Sequence, residues 1–146
     1  MDIKLIKDPV DNIYDFGIEN GDLTLDDSFD TALTLSLFTD ARADGGEVGP
    51  PQLRRGWWGD ETLPDPTDKF GSKNWLLSQA RVTNDTLNRG INSSKQALEW
   101  LVKNNYSERV NVSGQIIGND RINLTITLIN NNNIVASRNY TLWQNT

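Results

Sequence analysis

The most regular hydrophobic pattern in the chain has a period of two and lies near its C-terminal end. Val110, Val112 and Ile116 alternate with Asn111, Ser113 and Gln115, and Ile122, Leu124, Ile126 and Leu128 alternate with Asn123, Thr125 and Thr127. Ile134, Ala136, Tyr140 and Leu142 share a third face, with Arg138 among them. Successive side chains of a strand point to opposite sides, so each run predicts a strand with one apolar face and one Asn/Thr/Ser face. Gly118-Asn119-Asp120 and Asn130 to Asn133 supply the turns. The three runs predict an antiparallel meander with outer strands at 108–117 and 134–142, its apolar face covered by helices.

Upstream the period lengthens. Leu87, Ile91, Ala97, Leu98, Leu101 and Val102 fall at three- and four-residue spacings, with Trp100 off the stripe. This predicts a long helix opened by Thr83-Asn84-Asp85 and closed by Asn104-Asn105. Gly90 inside it costs about 1 kcal/mol against alanine and marks a kink or a close approach. Gly71-Ser72-Lys73-Asn74 opens a short helix carrying Trp75, Leu76 and Leu77. Phe29, Ala32, Leu33, Leu35, Phe38 and Ala41 predict a helix over 28–42, capped by Asp26-Asp27-Ser28. Its Thr31, Thr34 and Ser36 are polar but uncharged, which suits a face turned to water or lying against another protein. At the N-terminal end, Ile3 and Leu5 alternate with charges, and Tyr14, Phe16 and Ile18 lead into Glu19-Asn20-Gly21-Asp22, followed by Leu23 and Leu25. Asn-Gly between alternating runs is a strong hairpin signal. The predicted class is α+β: an N-terminal hairpin, then two to three helices packed on one face of a C-terminal three-stranded antiparallel meander, in one domain spanning 1–146.

The patterned segments leave a gap. Ala43 to Leu53 contains Gly45-Gly46, Gly49 and Pro50-Pro51, and Leu63-Pro64-Asp65-Pro66-Thr67-Asp68 is a second loop. Between them lies Arg54-Arg55-Gly56-Trp57-Trp58-Gly59-Asp60. About thirty residues without a helix or strand are predicted here, a length that usually marks function. Adjacent indoles cannot both point inward from regular structure, so one caps the core and the other faces a neighbour. Arginine stacks on indole and forks onto carboxylates. Two readings are compatible: a structural knot in which Asp60 pairs with Arg54 or Arg55, and an interface hot spot, since Trp and Arg dominate such sites.

Composition narrows the chemistry. The 146 residues contain no cysteine and no histidine, which removes disulfides, Cys/His zinc sites and Ser-His-Asp triads. No cofactor or metal is expected. A net charge of −6 argues against nucleic-acid binding, and no apolar run approaches the roughly 20 residues of a membrane span. Met1-Asp2-Ile3-Lys4 shows no signal-peptide core, so a soluble cytoplasmic protein is expected and its Asn-x-Ser/Thr triplets carry no glycans.

The order of a helix, a glycine-rich loop, Arg-Arg-Gly-Trp-Trp-Gly-Asp, Gly-Ser-Lys-x-Trp-Leu-Leu and a helix ending Ala97-Leu98-Glu99-Trp100-Leu101-Val102 before a meander resembles the small baseplate protein of Mu-like contractile-tailed phages. The likeness runs from about Asp22 to Leu142. That family is similar in turn to the T-even baseplate wedge protein called lysozyme-like, and to its type VI secretion counterpart. Those relatives carry Glu-Pro-Arg at the entry to the meander; here Ser107-Glu108-Arg109-Val110 stands there, without the proline. The resemblance implies a structural, non-enzymatic subunit of the virion tail baseplate, assembled in the host cytoplasm. Its implied partners are a larger wedge subunit, tail tube and sheath, with strands shared by β-augmentation. The partner-binding residues expected are Arg54, Arg55, Trp57, Trp58, Asp60, Glu108 and Arg109, with Glu108 and Arg109 acting as a pair that contacts the partner or the Arg54-Arg55 loop. The alternative from another class is a peptidoglycan hydrolase using Asp60 and Glu61 beside the indoles. Sequence neighbours rarely give the cross-cleft separation that such carboxylates need. A carbohydrate-binding module with exposed tryptophans is a third reading.

Overall fold

A computed structural model describes residues 2–11, 13–26, 28–50 and 53–144. Asp27 of the predicted helix cap and Pro51 of the predicted loop fall outside the described residues. The chain divides into two compact units, Met1–Leu35 and Ser36–Thr146.

The first unit is built from six short strands: β1 (Asp2–Ile3), β2 (Leu5–Lys7), β3 (Tyr14–Phe16), β4 (Ile18–Glu19), β5 (Asp22–Leu23) and β6 (Leu25–Asp26). They pair antiparallel as β1 with β6, β2 with β3 and β4 with β5. The predicted hairpin is the last of these pairs, turning through Asn20 and Gly21 at φ of 54° and 83°. Asn-Gly suits two successive left-handed residues. The three ribbons meet where the strands break. Lys4 N–H donates to Thr24 O (2.8 Å), Gly17 N–H to Lys4 O (2.9 Å), and Thr24 N–H to Gly17 O (2.8 Å). The hairpin is thus one side of a closed triangle. A Cβ at Gly17 would lie 2.9 Å from Ile6 Cδ1 and 3.1 Å from Thr24 Cβ, so a side chain there would crowd the junction.

Helix α1 (Asp30–Phe38) follows and is shorter than predicted at both ends. Asp26 caps it, accepting from Ser28 N–H and Thr31 N–H at 2.9 Å each. It stops at Phe38 because the backbone groups that follow bond elsewhere: Ala41 N–H donates to Ser72 O, and Thr39 O accepts from Ser72 N–H, both at 2.9 Å. The expectation for its Ser/Thr face is overturned, because Thr31, Thr34 and Ser36 are all buried, whereas Leu35 and Phe38 are exposed. Thr31 Oγ1 donates to Ile3 O and accepts from Leu5 N–H, and Ser36 Oγ accepts from Trp100 Nε1 at 3.0 Å. Small hydroxyls with intramolecular partners bury at little cost.

In the second unit, β7 (Arg109–Ile117), β8 (Arg121–Asn130) and β9 (Asn133–Gln144) form the predicted meander in the order β7-β8-β9. Ile122, Leu124, Ile126 and Leu128 of central β8 are fully buried. Each such side chain contributes roughly 1.5–3 kcal/mol of transfer free energy. Helix α2 (Asn84–Lys103) begins at Thr83, whose Oγ1 accepts from Thr86 N–H, and ends in Asn104 and a left-handed Asn105 at φ 62°. It lies along β7 through Ala97, Leu98 and Leu101. Both glycines in this layer mark close approach. A Cβ at Gly90 would sit 2.9 Å from Leu142 Cδ1, and one at Gly114 would sit 3.0 Å from Leu87 Cδ1.

The predicted cover of two to three helices reduces to α2 lying along the sheet, with Phe38 at the end of α1 meeting Tyr140 edge-on at 6.0 Å. The expected short helix is one 3-10 turn, Asn74–Leu77, set against α2. In β9 the register slips between Leu128 and Ile129, so Ile134 leaves the apolar face and is exposed.

Candidate functional site

The segment from Arg54 to Asp60 is held by contacts that lie far off in sequence. Ala43 N–H donates to Arg54 O at 2.9 Å. Arg55 then takes φ 53° and Gly56 φ 112°, two left-handed residues in succession. For arginine that conformation costs roughly 1–2 kcal/mol. What holds it is on both sides of the guanidinium. Nη1 of Arg55 pairs with Asp40 Oδ2 at 2.7 Å, and its guanidinium carbon sits 4.6 Å from the centre of the Trp75 ring. Trp75 is itself fixed by Nε1 donating to Ala41 O at 2.8 Å. At Gly56 a side chain would meet Arg42 Cβ at 2.9 Å. Arg42 Nη1 donates to Arg55 O at 3.3 Å, tying the turn down once more.

Beyond the turn the chain enters a 3-10 turn, Trp58–Thr62, so the segment is not wholly irregular. Trp57 packs on Phe70 with ring centres 5.3 Å apart, and Trp58 tilts onto Trp57 at 5.7 Å. The stack runs outward from two half-buried rings to Trp58, which is 79% exposed. Gly59 lies under the Trp57 indole and leaves no room for a side chain. Asp60 is 7% exposed and turned inward, where Oδ1 accepts from Phe70 N–H at 2.8 Å. The predicted ion pair between Asp60 and Arg54 or Arg55 is therefore not formed: Asp60 is used up by Phe70, and Arg55 by Asp40. Glu61 is exposed while Asp60 is buried, and nothing in this geometry favours the two-carboxylate hydrolase.

Arg54 runs the other way, past Gly45, where a Cβ would stand 2.8 Å from its Nη2. Its Nε is buried with no hydrogen-bond partner in the chain. Nearby, Lys73 Nζ meets Asp44 Oδ2 at 2.7 Å and Glu47 Oε2 at 3.0 Å. Burial opposes the Lys73 charge, but hydrogen bonds to both carboxylates outweigh it and raise its pKa above the ordinary lysine value. A cleft of about 550 Å³ opens beside Arg55, Trp75 and Arg89.

Glu108 and Arg109 lie where α2 hands over to β7, as the sequence predicts, and both are exposed. They form no ion pair with each other, nor with Arg54 or Arg55. Both grip the β8–β9 turn. Glu108 Oε2 accepts from Asn131 N–H at 2.9 Å, Glu108 N–H donates to Asn130 Oδ1 at 2.7 Å, and Arg109 Nη2 donates to Asn132 Oδ1 at 3.3 Å. Sequence reasoning missed Asp40, Arg42, Phe70 and Trp75 as supports. Asp40, Arg42 and Phe70 stand alone in the sequence with no local signal, and Trp75 read only as part of a short helix.

Among the described residues, no group of three or more acidic side chains is placed to hold a metal ion, and no helix is long and apolar enough to cross a membrane. The chain is 39% identical over 109 residues to the baseplate protein gp46 of Escherichia phage Mu, covering 73% of each protein. It is 40% identical over 92 residues to the Mu-like prophage FluMu protein gp46 of Haemophilus influenzae, covering 62% of this chain and 59% of that one. The pattern that defines the phage protein GP46 family matches residues 29–134. With that span of match and that identity to the phage Mu protein, the chain belongs to the GP46 family of phage proteins.

Proposed function

We propose that this protein is a structural subunit of a phage tail baseplate, without enzymatic activity, and that the Arg54–Asp60 loop is a surface by which it is built in. The phage Mu relative is named a baseplate protein, which supports the reading. Trp58 carries the assignment of the surface. It is an exposed indole stacked on Trp57, on a loop clamped by Arg55. Little freedom remains to be lost when a partner covers it, and tryptophan on a rigid base is the common form of a hot spot. Arg54, Arg55, Trp57 and Asp60 hold Trp58 in place, Asp60 from inside.

The finer placement belongs to the same proposal. From the sequence resemblance to the T-even wedge protein and its type VI counterpart we infer a wedge position, joined to a larger wedge subunit near tube and sheath. The site is the virion baseplate, reached by assembly in the host cytoplasm. The outer edge of β9 suits β-augmentation, since Asn133–Gln144 contains no Pro, Lys or Gly to blunt it. Glu108 and Arg109 hold the turn from which that edge starts, so their part in binding is to position it. The test is to supply Trp58→Ala in place of the native subunit. The variant should fold with unchanged thermal stability yet incorporate into baseplates poorly. Normal incorporation would overturn the assignment.

A further inference from the structure

The N-terminal triangle presents an arrangement that the loop and the sheet do not. Its three ribbons carry one apolar cross-strand pair each: Ile3 with Leu25, Leu5 with Phe16, and Ile18 with Leu23. Ile3 and Leu5, Phe16 and Ile18, and Leu23 and Leu25 flank the three junction residues and link these pairs into one closed ring. The residue between each two, Lys4, Gly17 or Thr24, belongs to the hydrogen-bonded triangle that fixes the ring. This ring is not a core. Phe16 is 58% and Ile18 72% exposed, and Ile3, Leu23 and Leu25 are exposed too. A contiguous apolar face of this kind marks an interaction site.

Charge identifies what fits it. Residues 1–35 contain nine acidic and two basic side chains, a net −7, against −6 for the whole chain, so residues 36–146 carry +1. Like charges stand directly opposite in one ribbon, Glu19 with Asp22, on the face away from Ile18 and Leu23. Such pairs destabilise a sheet. No salt bridge within residues 1–35 relieves this one among the described residues. Two such units repel each other, and they repel anionic lipid and nucleic acid alike. A partner with Lys or Arg around an apolar patch would cover the ring and be drawn to it by the net −7 of residues 1–35.

We propose that the N-terminal triangle is a docking module for a basic, apolar-centred surface of another baseplate protein. The proposal rests on the baseplate reading and adds to it a second interface, separate from Trp58. Residues 1–28 lie outside the span matched by the GP46 family pattern, so this module is not read from that pattern.

The test titrates the full-length chain against each purified baseplate subunit of the same phage, at about 50 mM and about 300 mM salt. One subunit should bind wild type, with affinity falling about tenfold or more at the higher salt. Phe16→Ser/Ile18→Ser should weaken that binding about tenfold at both salts while leaving the circular dichroism unchanged. Glu19→Gln/Asp22→Asn should weaken it at low salt, flatten the salt dependence and raise the melting temperature of the free chain. Unchanged affinity of both variants for every subunit would overturn the module. So would self-association or binding to anionic vesicles that the same substitutions abolish. Trp58→Ala separates the two interfaces. Binding that needs Trp58 but not the ring refutes the module and leaves the baseplate reading intact. A wild-type chain that binds no baseplate subunit refutes both.

Discussion

The two units use the same alphabet of alternating strands and reach opposite results. In the meander, Ile122, Leu124, Ile126 and Leu128 disappear beneath α2 and their neighbours, and the other side offers mainly Asn, Thr and Ser, with Arg109 and Arg121 at one end each. On that polar side, cross-strand side chains bond each other: Thr125 Oγ1 donates to Asn139 Oδ1 at 2.8 Å and Thr141 Oγ1 to Asn123 Oδ1 at 3.0 Å. In the triangle, Phe16, Ile18 and Leu23 alternate just as regularly yet stay exposed, and the side chains between them include unrelieved carboxylates. Alternation specifies a strand. Burial requires a second layer, and a ribbon two or three residues long cannot recruit one from its own neighbourhood. The lesson is that the apolar pattern marks cores and docking faces alike, and only charge and cover tell them apart.

The contrast can be broken most forcefully in the sheet. Leu124→Ala removes a fully buried side chain from the central strand and should lower the unfolding free energy by about 2–5 kcal/mol in a denaturant titration. A loss below about 1 kcal/mol would mean that the meander is no better packed than the triangle. Next in size is Asp26, the cap of α1. Burial pushes its carboxyl up, but hydrogen bonds from the Ser28 hydroxyl and from Thr31 and Ser28 N–H outweigh this and hold it down at about 2. The unfolded chain titrates it near 3.9, so the folded state gains about 2 kcal/mol that is fully present above pH 4 and is lost as pH falls through about 2. Asp26→Asn should flatten the stability profile between these values. An unchanged profile would show that the cap contributes nothing.

Smaller effects sharpen the picture. Asp40 and Arg55 are both well exposed, so a double-mutant cycle should give a coupling under about 1 kcal/mol, with the stack on Trp75 as the remaining hold on the turn. Ile18→Ser should change stability by no more than about 0.5 kcal/mol, because its side chain is already in water. A loss as large as that of Leu124→Ala would convert the ring from a docking face into a core.

The meander, α2 and the hairpin through Asn20-Gly21 were legible because each is announced locally, by period, cap and turn residues. What was not legible depended on distant partners. The slip that exposes Ile134 has no glycine or proline to announce it. Thr31 and Ser36 look like surface residues until Ile3, Leu5 and Trp100 supply their hydrogen bonds. Arg54 to Asp60 stood out by composition, but Trp57 packs half-buried on Phe70 instead of capping the core, while Trp58 is exposed. Asp60 went astray because its acceptor role is filled by the Phe70 amide, ten residues on. The closed triangle was hidden since its three hydrogen bonds join residues 4, 17 and 24, which no periodicity links.

Surfaces left uncovered in the single chain should be those covered in the assembled tail. Hydrogen exchange of the free chain against the chain incorporated into baseplates tests it most directly. Amides of the Arg54–Asp60 loop and of the outer edge of β9 should exchange markedly more slowly after incorporation, with the interior of β8 unchanged. Equal exchange at both surfaces in the two states would contradict it.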